Sequence, residues 1–322
     1  MIEEHSIVTG IHHVTSCVGA AQENIDFMTQ VIGQRMIKQT VLFDGKTPIY
    51  HLYYANKNAE IGTVMTTFPF KQAGAFGRRG SGQICATAYS VGEQSLDFWA
   101  KHLDKHKVKH SGIQQRFGQS LINFADPCGN EYELIGDDRD TREGWVTDEI
   151  SEANSVKGFN SVVMSVRDVR GQHDYFTIGL GFRKVDEEGP YHKYHIQEGG
   201  PCRTVVLRHD PDLEQGSWTF GVGTVHHVAF AVADDDVQMK LKLYLEGLGY
   251  TDASESKDRN YFHSVYCRSP GGILTEFATT DIGFMVDETV EELGQNLLLP
   301  PWFEDRRAEI IAPLEPIKVP GR

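Results

Sequence analysis

Short runs of alternating apolar and polar residues, separated by glycine-rich breaks, follow one another in the same order four times along the chain. The first run opens with Gly-Ile-His12-His13-Val-Thr and continues to Val18 with strand periodicity. Residues 24–32 then place Ile25, Phe27, Met28, Val31 and Ile32 at helical spacing before Gly33. Three further strand-like runs lie at 36–43, 49–54 and 62–68. The order repeats from Gln83, with a strand to Val91, a helix around 96–106 and strands near 112–116, 120–125 and 130–135. It repeats again from Gly158 and from Val225, where the helices close on Gly-Leu-Gly-Phe182 and Gly-Leu-Gly-Tyr250. Starts near residues 11, 84, 159 and 225 predict four βαβββ modules.

One such module is too small to bury both faces of its own sheet, so an α+β fold follows in which modules pair into two cupped half-barrels. Residues 1–142 should hold the first two modules (1–73 and 80–142), and 143–156, rich in charge, a linker. Residues 157–282 should hold the other two (157–215 and 223–282), and 283–322 a covering tail with a short helical pattern.

A net charge of −14 argues against nucleic acid or an anionic membrane surface as partner, since both are held by clustered Lys and Arg. No apolar run approaches the roughly 20 residues needed to span a bilayer, and the acidic start Met-Ile-Glu-Glu-His lacks a signal-peptide profile. A cytoplasmic protein is expected. Cys17, Cys85, Cys128, Cys202 and Cys267 are scattered without a paired spacing, as reduced core or strand residues would be. A small-molecule ligand fits this profile, and homo-oligomerisation is left open.

Two His-His pairs, His12-His13 and His226-His227, open corresponding strands of modules one and four. Successive strand residues face opposite sides, so a doublet sends one ring directly into a given site. His227 shares its face with Ala229 and Ala231, which leave room above the sheet, whereas His226 aligns with bulky Val228, Phe230 and Val232. His13 aligns with Thr15 and Cys17, and His12 with Val14 and Val18. The second histidine of each pair is therefore the candidate ligand.

A third ligand comes from matching module ends. Ser-Pro270-Gly-Gly272-Ile-Leu-Thr-Glu276-Phe aligns without gaps to Asp-Pro127-Cys-Gly129-Asn-Glu-Tyr-Glu133-Leu, and Thr66 falls at roughly the same point of module one. If modules one and four share a cup, its four related inward positions hold His13, Thr66, His227 and Glu276. Two neutral imidazoles, one carboxylate and open coordination positions suit non-haem Fe(II) that must bind oxygen and substrate together. The other cup offers Glu133, but Cys85 or Ala86 and Asn160 or Ser161 stand where histidines would be needed, so no metal is expected there. His51, His102, His106, His110, His192 and His195 read as surface residues.

With these residues placed, the chain resembles the vicinal oxygen chelate superfamily, and within it the hydroquinone-type ring-cleaving dioxygenases such as the chlorohydroquinone and 2,6-dichlorohydroquinone 1,2-dioxygenases. The resemblance is carried by His-His-Val-Thr, Phe-Asp44-Gly…Pro-Ile-Tyr-His51-Leu-Tyr, Gly62-Thr-Val-Met-Thr-Thr-Phe-Pro69, Arg116-Phe-Gly-Gln, Gln215-Gly-Ser-Trp218-Thr, His226-His227 and Arg259-Asn-Tyr-Phe…Tyr266. It implies Fe(II), with Mn(II) as a substitute, on His13, His227 and Glu276, O2 as co-substrate and a para-dihydroxylated aromatic as substrate. It also implies proton traffic through His226, His12 or Tyr266, charge stabilisation by Arg259, and a hydrogen bond from Thr15 to a ligand or water. The tail with Pro301-Trp302 departs from the chlorohydroquinone enzymes and leaves the ring substituent open. A catechol-type extradiol dioxygenase, a glyoxalase-like metalloenzyme and a non-catalytic binding or resistance protein are the alternatives on the same scaffold.

Overall fold

The computed structural model describes residues 7–43 and 49–319, so the Asp44-Gly segment of the resemblance lies outside the described residues. Module one comprises β1 (Gly10–Val18), α1 (Ala21–Asp26), β2 (Arg35–Val41), β3 (Tyr50–Ala55) and β4 (Val64–Pro69). Module two comprises β5 (Gln83–Val91), α2 (Leu96–Lys105), β6 (His110–Arg116), β7 (Gln119–Ala125) and β8 (Glu131–Gly136). Module three comprises β9 (Gly158–Val166), α3 (Val169–Asp174), β10 (Arg183–Glu188), β11 (Tyr191–His195) and β12 (Thr204–His209). Module four comprises β13 (Thr224–Val232), α4 (Asp235–Gly247), β14 (Lys257–Asp258), β15 (His263–Arg268) and β16 (Leu274–Thr279).

Two eight-stranded sheets result. One runs β14-β15-β16-β13-β1-β4-β3-β2 and the other β10-β11-β12-β9-β5-β8-β7-β6. Modules one and four thus share a sheet, as do two and three, each pair joined by an antiparallel seam, β1 to β13 and β5 to β9. Every residue of β1 and of β9 is buried, because helices cover one face of each sheet and the curled sheet closes over the other. The apolar helix faces and outer strand faces form one continuous core running through Ile25, Met28, Trp99, Phe176 and Leu245.

Both seams carry the same irregularity, and it changes where the histidines point. On β1, Ile11 opposes Phe230 and His13 opposes Ala229, which leaves His12 as an extra residue; on β13, Thr15 opposes His227 and Ser16 opposes Val225, which leaves His226. Each is a β-bulge, which suspends strict alternation for one residue and turns two consecutive side chains toward the same side. The expectation that His12 aligns with Val14, and His226 with Val228 under a helix, is therefore corrected. His12 packs against Phe262 and Phe284, and His226 lines the cavity of the cup. In the second seam the bulged residues are Cys85 and Asn160.

The segment after β16 lies along the first cup. Phe284 and Leu293 join Tyr53, Tyr261 and Phe262 in a cluster over Ala229 and Ala278, filling one end of the concave face. Lys38 of β2, fully buried, is neutralised by Asp287 and by Glu288 at 2.7 Å. Further on, Leu298 N donates to Gln39 O (2.9 Å), and Leu299 and Phe303 pack on Val41. This end of the chain contains α5 (Arg307–Ile311). Among the described residues no helix is long and apolar enough to cross a membrane.

Candidate functional site

The other end of the concave face is open, as a cavity of about 310 Å³. His13, Thr15 and His227 form its floor, Phe43, Phe68, Tyr53 and Phe262 its aromatic walls, and His51, His226, Lys257, Arg259 and Tyr266 its polar lining. That volume is at the small end of ligand pockets.

On the floor, three ligand-type atoms meet. His13 Nε2 lies 3.1 Å from His227 Nε2, and Glu276 Oε2 lies 2.7 Å from His227 Nε2 and 3.6 Å from His13 Nε2. Around a metal with bonds of about 2.1 Å, two ligands at right angles would stand about 3 Å apart, so the triangle has the dimensions of one face of a coordination sphere. Glu276 Oε2 is buried and makes no aligned hydrogen bond despite these short distances, while Glu276 Oε1 accepts from Ser264 Oγ at 2.5 Å. Its lone pair converges with those of the imidazoles instead of meeting a proton. The residues present therefore fit a divalent cation, which would compensate a buried carboxylate as neutral partners cannot.

The register explains the composition of this floor. β1 and β13 exchange under an approximate twofold relation, in which Thr15 pairs with Thr66 on β4 as Ala229 pairs with Glu276 on β16. His13 thus corresponds to His227, and Thr66 to Glu276. Three of the four related positions carry ligand atoms and the fourth carries a hydroxyl.

The bulged histidines set the proton on each inner ring. His12 Nδ1 lies 2.9 Å from His13 Nδ1, and His226 Nδ1 lies 2.7 Å from His227 Nδ1. If the Nε2 atoms of His13 and His227 present lone pairs to the floor, their Nδ1–H groups donate to the outer rings. Burial and the neighbouring His13 push the His12 imidazole down to about 3, and burial together with His227 pushes His226 well below its usual range. Both outer rings are therefore neutral at ordinary pH. Burial would raise the Glu276 carboxyl, but His227 and His13 outweigh it and hold it well below the ordinary carboxylate range.

The structure brings His13, His227, Glu276, Thr15, His226, Arg259 and Tyr266 around one cavity floor, with His12 behind His13 and outside the cavity lining. Arg259 and Lys257 both lie over the Tyr266 ring, each 5.5 Å from its centre. Glu276 pairs with neither Arg259 nor Arg268; the latter donates to Gly272 O at 2.7 Å. Sequence reasoning missed several contributors, Tyr53, Phe68 and Lys257 among them. Phe262 and Phe43 are pocket walls, and His51, read as a surface residue, is buried and lines the cavity. Its setting among Tyr50, Leu52, Tyr53 and Tyr54 was the available signal. His102 is also buried, its Nε2–H donating to Val31 O (3.0 Å), and sits with His106 near Glu149. Lys105 already neutralises that carboxylate at 2.8 Å.

In the second cup Glu133 receives two bonds from Arg116, at 2.8 and 2.5 Å, and the guanidinium lies over Tyr191 at 4.8 Å. Ala86 and Ser161 occupy the places of the inner histidines and Val206 that of Thr66. A fork of donors compensates the carboxylate there, as a cation would in the first cup.

Comparison with known proteins places the chain among its relatives. Residues 10–134 match the family described as the Glyoxalase/Bleomycin resistance protein/Dioxygenase superfamily. The chain is 39% identical over 306 residues to a chlorohydroquinone/hydroquinone 1,2-dioxygenase of Sphingobium indicum, covering 94% of this chain and 95% of that protein. It is 36% identical to MhqO of Bacillus subtilis, assigned as a ring-cleaving dioxygenase, over 96% of this chain and 97% of that one. Among solved structures, a Bacillus subtilis protein assigned as a dioxygenase superimposes with a TM-score of 0.89 at 36% identity, covering 97% of this chain and 98% of that one. Glyoxalase I from Zea mays shares the fold alone, with a TM-score of 0.60 at 13% identity over 84% of this chain and 92% of that one.

Proposed function

Since the chain belongs to the glyoxalase/bleomycin resistance protein/dioxygenase superfamily, with relatives named as ring-cleaving dioxygenases along nearly its whole length, we propose that it is an Fe(II)-dependent dioxygenase. Its substrate in this reading is a para-dihydroxylated aromatic, hydroquinone or a substituted hydroquinone, opened beside one hydroxyl-bearing carbon. The observation that carries the reading is the convergence of His13, His227 and Glu276 with a threonine at the fourth related position. Mn(II) fits the same three donors. When bound, the metal would supply a template and Lewis acid for ring oxygen and dioxygen.

The chain's own residues do the rest. Phe43, Phe68 and Phe262 give the ring an apolar slot and exclude water from it. Arg259, whose guanidinium burial would weaken but which Tyr266 and Glu276 keep charged, offers a fixed positive charge to a phenolate. His226 accepts the His227 Nδ1 proton on its own Nδ1, which leaves its Nε2–H for the cavity that it lines. In this reading it is the neutral group that donates a hydrogen bond to a substrate oxygen, with Tyr266 beside it. His12, behind His13 and outside the cavity, orients a ligand ring and does not move protons to substrate. Thr15, 2.9 Å from His227 Nε2, aims a hydroxyl at the floor.

Anaerobic purification with Fe(II), followed by oxygen uptake on hydroquinone, methylhydroquinone, chlorohydroquinones and catechol in parallel, tests the proposal. Uptake with a para-diol is expected. Turnover of catechol with none of the para-diols would replace this reading with the catechol-type one.

A further inference from the structure

A chain of buried hydrogen bonds leaves the triad at His227 Nε2, the ring nitrogen that does not meet His226. Thr15 Oγ1 is 2.9 Å from His227 Nε2 and 2.7 Å from Thr66 Oγ1; Thr66 Oγ1 is 2.9 Å from His51 Nε2; and His51 Nδ1 is 3.1 Å from the Tyr53 hydroxyl. Thr15, Thr66 and Tyr53 are wholly inaccessible to solvent, and His51 nearly so.

We propose that Tyr53 and His51 are positioning residues that fix the direction of this chain, so that Thr15 presents its O–H to the phenolate oxygen of a substrate held at the triad.

The direction follows from counting protons. Among the described residues the Tyr53 hydroxyl has one hydrogen-bond partner, His51 Nδ1; its ring packs on those of His51, Tyr261 and Phe284, and Arg259, Tyr266, Glu276 and Asp287 act on it through space without bonding to it. A buried phenol proton without an acceptor is disfavoured, so Tyr53 donates and His51 Nδ1 accepts. A neutral imidazole then carries its proton on Nε2, which must donate to Thr66 Oγ1. Thr66, with that acceptor site used, has Thr15 Oγ1 as the partner for its own proton. Thr15 is left with its hydrogen free to donate, and it faces the inner face of His227. With the His227 lone pair taken by a bound metal, that hydrogen would be free for an oxygen anion beside it. Burial keeps both controlling groups neutral, with the His51 imidazole pushed well below its usual range and the Tyr53 phenol well above. The reverse direction would present the threonine's lone pair to the same anion.

This deepens the reading of the site as a phenolate-binding metal centre and rests on it only for what Thr15 addresses. The tautomer of His51 stands apart from that reading and is measured first, by long-range 1H–15N correlation on the metal-free wild-type protein. Protonated Nε2 and bare Nδ1 are expected; protonated Nδ1 overturns the proposal without touching the metal-site reading. The second measurement titrates 4-nitrophenol, followed by its phenolate absorbance, into protein loaded with redox-inert Zn(II). Tyr53→Phe should weaken binding about 3- to 10-fold, and the same change in a Thr15→Val background less than about 2-fold, because the chain then has no last member. Equal losses in both backgrounds, or no loss in Tyr53→Phe, overturn the proposal.

Discussion

The two cups of this molecule share strand order, an antiparallel seam and bulges at corresponding residues, yet one converges ligand atoms and the other closes on an ion pair. In the first, the four related inward positions are His13, His227, Glu276 and Thr66; in the second they are Ala86, Ser161, Glu133 and Val206. A buried glutamate is common to both. What differs is its counter-charge: in one cup two imidazoles converge with it, and in the other Arg116 grips it with two bonds. The fold thus fixes where inward side chains meet, and a few residues decide whether the meeting place accepts a cation or supplies its own.

The largest expected difference comes from removing each glutamate. Glu276→Gln should weaken Fe(II) binding by at least about 1000-fold and abolish oxygen uptake, because a neutral amide contributes little to a three-donor site. Glu133→Gln should leave metal stoichiometry unchanged, as measured by anaerobic titration with Fe(II). Loss of the bound metal in Glu133→Gln would mean that the two cups are not chemically separate. Arg116→Ala is the converse experiment. It strands a buried carboxylate and should cost about 3–5 kcal/mol of stability in urea unfolding, with the affinity of the folded protein for metal intact.

Much of this contrast was legible in the sequence, and the part that was not has a physical cause. The four modules and their pairing follow from the repeated order of strand and helix periodicities, and Glu276 from its gapless match to Glu133. The bulges were not legible. An extra residue in a strand leaves no signature when its neighbours are buried on both faces, as they are in β1, so strict alternation misdirected His12 and His226. His51 was missed because its partners, the Thr66 hydroxyl and Phe68 ring of β4 and the Tyr53 hydroxyl of β3 itself, come together only when β3 and β4 pair. The buried Lys38 was equally hidden, since its carboxylates come from the tail some 250 residues later.

Acid should separate the cups by a smaller margin. In the metal-free protein His12 is held down to about 3 by burial, against an unfolded value near 6.5. A base whose folded pKa is depressed makes the unfolded state bind more protons below the unfolded value, so stability falls as pH drops from about 6.5 toward 3. At pH 5 His12 alone should account for a loss of about 2 kcal/mol, with His51 and His226 shifted in the same direction. The second seam has no buried histidine at the matching bulges. Amide exchange at pH 5 should therefore lose protection along β1 and β13 before β5 and β9, and equal loss in both seams would remove histidine burial as the cause.

The smallest expected effect concerns the tail, which packs along the first cup. Trp302 meets Phe43 edge to face, with ring centres 6.1 Å apart, and Phe43 lines the cavity and touches His51 in turn. Trp302 reaches the cavity through Phe43, so in the proposed reading it holds the wall that a substrate ring would lie against. An aromatic pair of this kind is worth about 0.5–1.5 kcal/mol beyond its area, which corresponds to roughly a 2- to 13-fold change in an equilibrium constant. Trp302→Ala should accordingly raise KM for the para-diol within that range while leaving kcat and metal content near wild type. A fall in kcat at unchanged KM would place Trp302 in the chemistry of the floor and not in its wall. The second cup offers a matched control in Arg116 over Tyr191, because a change there should alter stability and neither kinetic constant.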